Sequence, residues 1–134
     1  YHATYYVEWK PEYEKYVDIH YRWTLGGEAP RLAWVSALTT QMIYEQPVVH
    51  QFPEVQAPTL LVIGQEDRTV IGRNKVKPED LKELGQYPKL GKTAAAAIPN
   101  ARLVELENVG HIPHFEAPER FHKELIEFLK SKAN

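Results

Sequence analysis

Residues 110–121 read Gly-His-Ile-Pro-His-Phe-Glu-Ala-Pro-Glu-Arg-Phe, and this stretch is the most informative part of the sequence. Gly110 frees the backbone to turn sharply after a short apolar segment, and His111 follows on that turn. Pro118 then predicts the start of an amphipathic helix, because its fixed φ suits the first helical position. An imidazole on a rigid turn beyond a strand is well placed to transfer protons near neutral pH. His111 is therefore the first candidate for a catalytic role.

The composition is typical of one globular domain and excludes several kinds of site. Of the 134 residues, 43% are hydrophobic and 25% are charged. The formal net charge of −2 gives no electrostatic reason to expect nucleic acid or an anionic membrane as a partner. No apolar run approaches the length of about 18 residues that a membrane span requires. The absence of cysteine excludes disulfides, zinc–thiolate sites and a thiol nucleophile, and it leaves the cellular compartment open.

The first residues, Tyr1-His2-Ala3, include neither an initiator methionine nor a signal peptide. We therefore expect a piece of a longer polypeptide, with a processed or trimmed product as the alternative. The segment that follows predicts a helical hairpin, with helices over 11–25 and 30–46 and no strand pattern between them. Its many tyrosines and tryptophans could simply pack together, or they could form the inner face of a lid over a substrate pocket.

After a proline-containing linker, expected to be extended over 52–58, the pattern becomes α/β. Residues 59–64 form a continuous apolar run, which is typical of a strand covered on both faces in a parallel sheet. A second strand is expected over 103–106, and helices are expected over 78–85, 92–98 and 118–130. The alternation predicts parallel strands joined by right-handed crossovers. Because two strands do not make a self-sufficient sheet, we expect further strands from outside this chain or from pairing of chains.

Asp67 is the candidate partner of His111. It follows Gly64 by three residues, in the loop at the carboxyl end of the first strand, where open α/β sheets bind ligands. Its carboxylate could accept a hydrogen bond from one ring nitrogen of His111 and leave the other nitrogen to act as general base. The alternatives are a histidine that caps a turn and a solvated turn carboxylate, with Glu66 as the acid if the loop register is shifted.

Metal and nucleotide sites are not expected. His111, His114 and Glu116 lack the helical His-Glu-x-x-His spacing, and Pro113 separates the two histidines. Residues 91–93 read Gly-Lys-Thr, as at the end of a phosphate-binding loop, but Gln86 stands where that loop needs glycine. We therefore expect no cofactor.

The two turns together resemble the acid and histidine motifs of the α/β-hydrolase family. In that family an apolar strand ends in a Gly-x-x-Asp turn, and a later strand ends in Gly-His followed by Pro and Glu-x-Pro. The matching residues are Gly64 and Asp67 for the first motif, and Gly110, His111, Pro113, Glu116 and Pro118 for the second. The acid precedes the histidine, as in that family. The resemblance implies an α/β fold: the C-terminal part of the hydrolase core over 51–134, with two parallel strands and flanking helices, preceded by a helical lid over 1–50.

The nucleophile motif of that family, Gly-x-Ser-x-Gly, does not occur in these residues, and Ser36 and Ser131 lack flanking glycines. The resemblance therefore implies a fragment of a serine-type hydrolase that acts on a small apolar ester or related acyl substrate. Asp67 and His111 would be catalytic, while Val70 and Ile112 would line the substrate pocket. The N-terminal half of the same enzyme would be the partner that supplies the nucleophile, and a homodimer is a further possibility.

Three alternatives stay open at this point. An aspartate nucleophile on the absent half would make the enzyme an epoxide hydrolase or a haloalkane dehalogenase, and in an epoxide hydrolase Tyr21 and Tyr44 could act as acids. The chain could instead be a non-catalytic binding module on the same scaffold. It could also be a proteolytic remnant.

Overall fold

The computed structural model describes residues 4–132, which divide into two compact units. The helical unit is Trp9–His50, and the α/β unit comprises residues 4–8 and 51–132. The lid was predicted to span residues 1–50, whereas residues 4–8 belong to the α/β unit. None of the helices within residues 4–132 combines the length and the apolar character needed to cross a lipid bilayer.

The helical unit is an α-helical hairpin. A 3₁₀ turn at Pro11–Tyr13 leads into helix α1, Glu14–Leu25, and helix α2 follows at Ala29–Glu45. Both helices lie close to the predicted bounds, because proline starts and glycine stops are strong local signals. Tyr13 is 3% exposed and meets the Trp9 ring edge-on, with 5.8 Å between ring centroids. Most other large apolar side chains of the hairpin are exposed: Ile19, Tyr21, Trp23, Leu25, Trp34, Val35, Leu38, Met42, Ile43 and Tyr44.

The linker after the hairpin departs from the prediction of an extended segment. A 3₁₀ helix covers Val48–Glu54 and includes Pro53. Only residues after Glu54 continue without helical structure up to the first strand. Short 3₁₀ segments are common connectors, and a proline that cannot donate a hydrogen bond is compatible with one.

The α/β unit contains a parallel pair of strands, β1 (Thr59–Gly64) and β2 (Ala101–Leu106). Thr59 lies opposite Ala101, and Gly64 lies opposite Leu106. The apolar run predicted β1 with its observed bounds, whereas β2 begins before the predicted Leu103. The Thr59 N–H donates to the Asn100 carbonyl at 3.0 Å, which extends the pairing beyond the apolar part of β2. The loops after both strands leave the sheet at the same edge, and those loops carry Asp67 and His111.

Helices flank these strands in the α/β unit. Helix α3, Tyr87–Ala97, packs against both strands, and the one-turn helix α4, Pro113–Glu116, precedes α5, Pro118–Lys132. Helix α3 begins earlier than the predicted 92–98. The helix expected over 78–85 is only a 3₁₀ turn at Asp80–Lys82, because a segment this short cannot repay the cost of helix nucleation.

The core of the α/β unit is small and lies next to the loop that carries His111. Leu106, Val109 and Ala117 are buried there, and Val62 and Val104 pack against them. Val109, with no exposed surface, directly precedes the Gly110-His111 turn. The buried Val109 side chain thus holds the Gly110-His111 turn, called the histidine turn below, against the core.

Candidate active site

The loop that follows β1 and carries Asp67, residues 65–70, is called the acid loop below. It continues the sheet pairing beyond the end of β1. The Gln65 N–H donates to the Leu106 carbonyl at 3.0 Å, and the Glu66 N–H donates to the Val109 carbonyl at 2.9 Å. The Asp67 N–H then closes a turn by donating to the Gly64 carbonyl at 3.2 Å. These bonds draw the loop after β1 against the segment that precedes His111.

Asp67 and His111 meet across 44 positions of sequence. The distance from Asp67 Oδ2 to His111 Nδ1 is 2.8 Å, within the range of a strong hydrogen bond. The Asp67 side chain is 6% exposed, and the His111 side chain is 37% exposed. The predicted contact between the two loops is therefore confirmed. Glu66, the alternative acid, is exposed, and within residues 4–132 no hydrogen bond joins its carboxylate to His111.

Both oxygens of the Asp67 carboxylate have partners. Oδ1 accepts a hydrogen bond from the Thr69 N–H at 2.9 Å, while Oδ2 faces the imidazole. The Arg68 guanidinium holds the turn by donating to the carbonyls of Gln65 and Asp67, at 3.0 and 2.7 Å. A buried carboxylate is tolerated only when it is paired and hydrogen-bonded, and Asp67 meets both conditions.

This arrangement determines which nitrogen of His111 is available for chemistry. Because an ionised carboxylate only accepts hydrogen bonds, the proton of the neutral imidazole belongs on Nδ1. Among residues 4–132, no hydrogen bond engages Nε2. The side chain also keeps enough exposed surface for a reactant to approach. A general base requires an unprotonated nitrogen on a side chain that a reactant can reach.

The two motif glycines permit close packing of the two loops. A Cβ on Gly64 would overlap the carbonyl oxygens of Val109 and Gly110, and a Cβ on Gly110 would lie 2.7 Å from the Tyr5 carbonyl oxygen. The sequence predicted that Gly110 was needed for a sharp turn. Gly110 is, however, not among the positive-φ glycines, which are Gly72 and Gly85. Glycine is required at position 110 because a side chain there would clash with the Tyr5 carbonyl oxygen.

Residues 5–7 lie against the histidine turn. The Tyr5 carbonyl accepts the His111 N–H at 2.8 Å, and the Tyr5 ring tilts by 30° over the imidazole with 4.9 Å between centroids. Tyr87 approaches the same imidazole edge-on at 6.1 Å. Glu116 joins the segments, because its two oxygens accept the N–H groups of Val7 and Gly110 at 2.8 and 2.7 Å. Glu116 belongs to the matched histidine motif, but its bond to Val7 and the position of Tyr5 were not predicted, since contacts over such separations have no periodic signature.

Comparisons with known proteins identify the family of this chain. The family model described as "Alpha/beta hydrolase family" matches residues 4–124. The chain belongs to the α/β-hydrolase family. The predicted family and the predicted α/β-hydrolase fold class are confirmed.

Two relatives place this α/β-hydrolase chain in a longer context. The crystal structure of a probable hydrolytic enzyme from Pseudomonas aeruginosa PAO1 matches with a TM-score of 0.90 and 46% identity, over 96% of this chain and 41% of that chain. Protein ABHD14A of Rattus norvegicus is 33% identical over 79 residues, which are 59% of this chain and 26% of the rat protein. The chain thus spans less than half the length of either relative.

The remaining candidates of this α/β-hydrolase chain lie as follows. Val70 and Ile112 are half-buried and lie in the loops that carry Asp67 and His111, so their role in lining a substrate pocket stays a prediction. Ser36 lies in α2, and the Ser131 hydroxyl donates to the Phe128 carbonyl within α5 at 2.8 Å. No group of three metal-ligating side chains comes together within residues 4–132.

Proposed function

We propose that this chain supplies the acid and the histidine of a serine-type α/β hydrolase that acts on a small apolar ester or related acyl substrate. The observation that supports this function is the 2.8 Å contact between His111 Nδ1 and the buried Asp67 carboxylate. An ionised carboxylate only accepts hydrogen bonds, so this contact favours the tautomer with an unprotonated Nε2. Membership of the α/β-hydrolase family and likeness to a probable hydrolytic enzyme also support a hydrolase.

In the proposed reaction, Nε2 of His111 takes the proton of a serine hydroxyl as the serine oxygen attacks the acyl carbon. The imidazolium that forms is stabilised by Asp67, and it then returns the proton to the departing alcohol oxygen. In the second half, Nε2 takes a proton from water, whose oxygen attacks the acyl-enzyme and releases the acid. The serine regains its proton from His111 at the end of the cycle.

The attacking serine would come from the N-terminal half of the same hydrolase. Two features support such a companion. The P. aeruginosa enzyme extends well beyond the region that this chain matches. The hairpin also exposes much apolar surface that a lid would turn towards substrate. Without the companion, the chain would not hydrolyse esters, because neither the nucleophile nor the oxyanion donors would be present.

The test combines this chain with the part of the P. aeruginosa enzyme that lies outside the matched region. We expect the combined protein to hydrolyse a chromogenic short-chain ester. His111→Ala should lower kcat by about a thousandfold or more, because the general base is lost. His122→Ala, which removes an exposed histidine of α5, is the matched control and should keep full activity.

Circular dichroism spectra of both variants are the check that each keeps its fold. If His111→Ala hydrolyses the ester at the unaltered rate, the assignment of His111 is wrong. Turnover of an epoxide or a haloalkane in place of the ester would indicate an aspartate nucleophile. Failure to turn over any of these substrates would favour a binding module.

A further inference from the structure

Thr69 contacts both members of the Asp67–His111 pair. Its backbone N–H donates to Asp67 Oδ1 at 2.9 Å, and its hydroxyl oxygen lies 3.0 Å from His111 Nδ1. Nδ1 therefore has two oxygen neighbours, the carboxylate at 2.8 Å and the hydroxyl at 3.0 Å.

The position of one proton decides what the hydroxyl does. If Thr69 donated its hydroxyl proton to Nδ1, the Nδ1 lone pair would also face the carboxylate oxygen of Asp67, and the two would repel. With the proton on Nδ1, both oxygens can accept it, in a hydrogen bond shared between two acceptors. The Thr69 hydroxyl is thus an acceptor, and its own hydrogen points elsewhere.

The packing of the loop holds Thr69 in this position. Gly85 has a φ of 64°, a backbone conformation that residues other than glycine seldom adopt. A Cβ at Gly85 would lie 2.8 Å from the Thr69 carbonyl oxygen and 2.9 Å from Cγ2 of Val70. The backbone of residue 85 therefore sits directly against the acid loop, and Thr69 has little room to move away from His111.

We propose that Thr69 is a positioning residue, whose hydroxyl is the second acceptor for the Nδ1 proton of His111. With Asp67, it keeps the proton on Nδ1, restricts rotation of the ring and leaves Nε2 unprotonated. The kinetic consequence rests on the proposed hydrolase function, but the position of the ring proton does not.

The first arm of the test is kinetic and uses the combined protein and the ester assay. Thr69→Val keeps the branched shape and the backbone N–H but removes the hydroxyl, and we expect kcat to fall by about three- to tenfold with KM unchanged. Thr69→Ser restores the hydroxyl and should restore kcat to within about twofold. Thr93→Val is the matched control, because that exposed hydroxyl donates only to the Lys89 carbonyl of its own helix, at 3.0 Å.

The second arm is heteronuclear NMR of the imidazole groups in this chain, with the His111 signal assigned by its loss in His111→Ala. We expect the Nδ1–H resonance of His111 to move upfield in Thr69→Val and to keep its wild-type position in Thr69→Ser and Thr93→Val. An unchanged resonance in Thr69→Val, or equal changes in the valine and serine variants, overturns the proposal. If the wild-type protein hydrolyses no ester, the hydrolase function fails, and the ring resonance still decides the role of Thr69.

Discussion

At the scale of single residues, Asp67 is the most constrained side chain of the site. It is the one charged residue that is buried among residues 4–131, with 4% of its surface exposed. Burial of a carboxylate is costly unless both oxygens keep partners, and here a backbone N–H and an imidazole provide them. A fold that needed only stability would gain little from such a group, because apolar residues fill the same space at less cost. Its burial is therefore best explained by its effect on His111.

The Asp67→Asn variant tests that explanation. The amide keeps the size of the side chain but removes the charge that stabilises the imidazolium, and its NH₂ group can direct His111 to the wrong tautomer. We expect kcat in the ester assay to fall by about a thousandfold or more, with the fold retained. Asp80→Asn, at an exposed position in a 3₁₀ turn, is the control. Retention of more than about a tenth of the activity would show that Asp67 does not act with His111 in this way.

At the scale of elements, helix α4 shows how the histidine turn is held. A helix of four residues is not stable by itself. The carboxylate of Glu116, at its end, accepts the N–H groups of Gly110 and Val7 and thereby joins the helix to the turn and to residues 5–7. Loss of one oxygen acceptor would leave one of these N–H groups without a partner.

Glu116→Gln should therefore lower both stability and activity. An amide has one acceptor oxygen in place of two, so we expect the free energy of unfolding to fall by about 1 to 2 kcal/mol. Chemical denaturation with circular dichroism measures this change. Activity should fall with it, because the turn that places His111 loosens. Glu83→Gln, at an exposed position, is the control. Equal stability of the two variants would mean that the Glu116 carboxylate does not hold the turn.

Local signals account for the parts of the fold that the sequence predicted. The apolar run marks β1, and prolines and glycines mark the ends of α1 and α2. The motif turns also predicted that Asp67 and His111 meet. The sequence could not show that Tyr5 lies over the imidazole or that Thr69 faces Nδ1, because both depend on how distant backbone segments pack. The false helix over 78–85 has the opposite cause, since its local signals were correct but the segment was too short.

At the scale of the whole molecule, the sheet is incompletely paired. Each of its two strands pairs with only one neighbour within residues 4–132, so each leaves one edge unpaired. Five of the six residues of β1 are only half-buried, although residues 60–63 are all apolar. Continuous apolar strands are typical of sheets that are covered on both faces. The strands are therefore expected to gain most from a companion.

We expect the nucleophile-bearing companion to raise the melting temperature of this chain and to slow amide exchange in β1 and β2. Binding to the folded state alone stabilises it by mass action, and pairing protects the free strand edges. Calorimetry and hydrogen exchange, with and without the companion, measure both effects. A melting temperature that rises with the concentration of this chain alone would indicate pairing of identical chains. No change in either case would contradict the need for added strands.

The register of the two strands bears on which insertions and deletions evolution can accept in this chain. Gly64 and Leu106 are paired residues of the two strands. The segment from Gly64 to Asp67 and the segment from Leu106 to His111 therefore start at the same position of the sheet, and they are the two paths meant below. Removal of one residue from either path would displace a carboxylate or an imidazole by about 3 Å, enough to separate them. The segment between residues 70 and 86 is under no such restriction, apart from Gly85 and from Arg73, whose guanidinium donates to the Arg68 carbonyl at 3.3 Å. Length variation among homologues should therefore concentrate there and spare the two short paths.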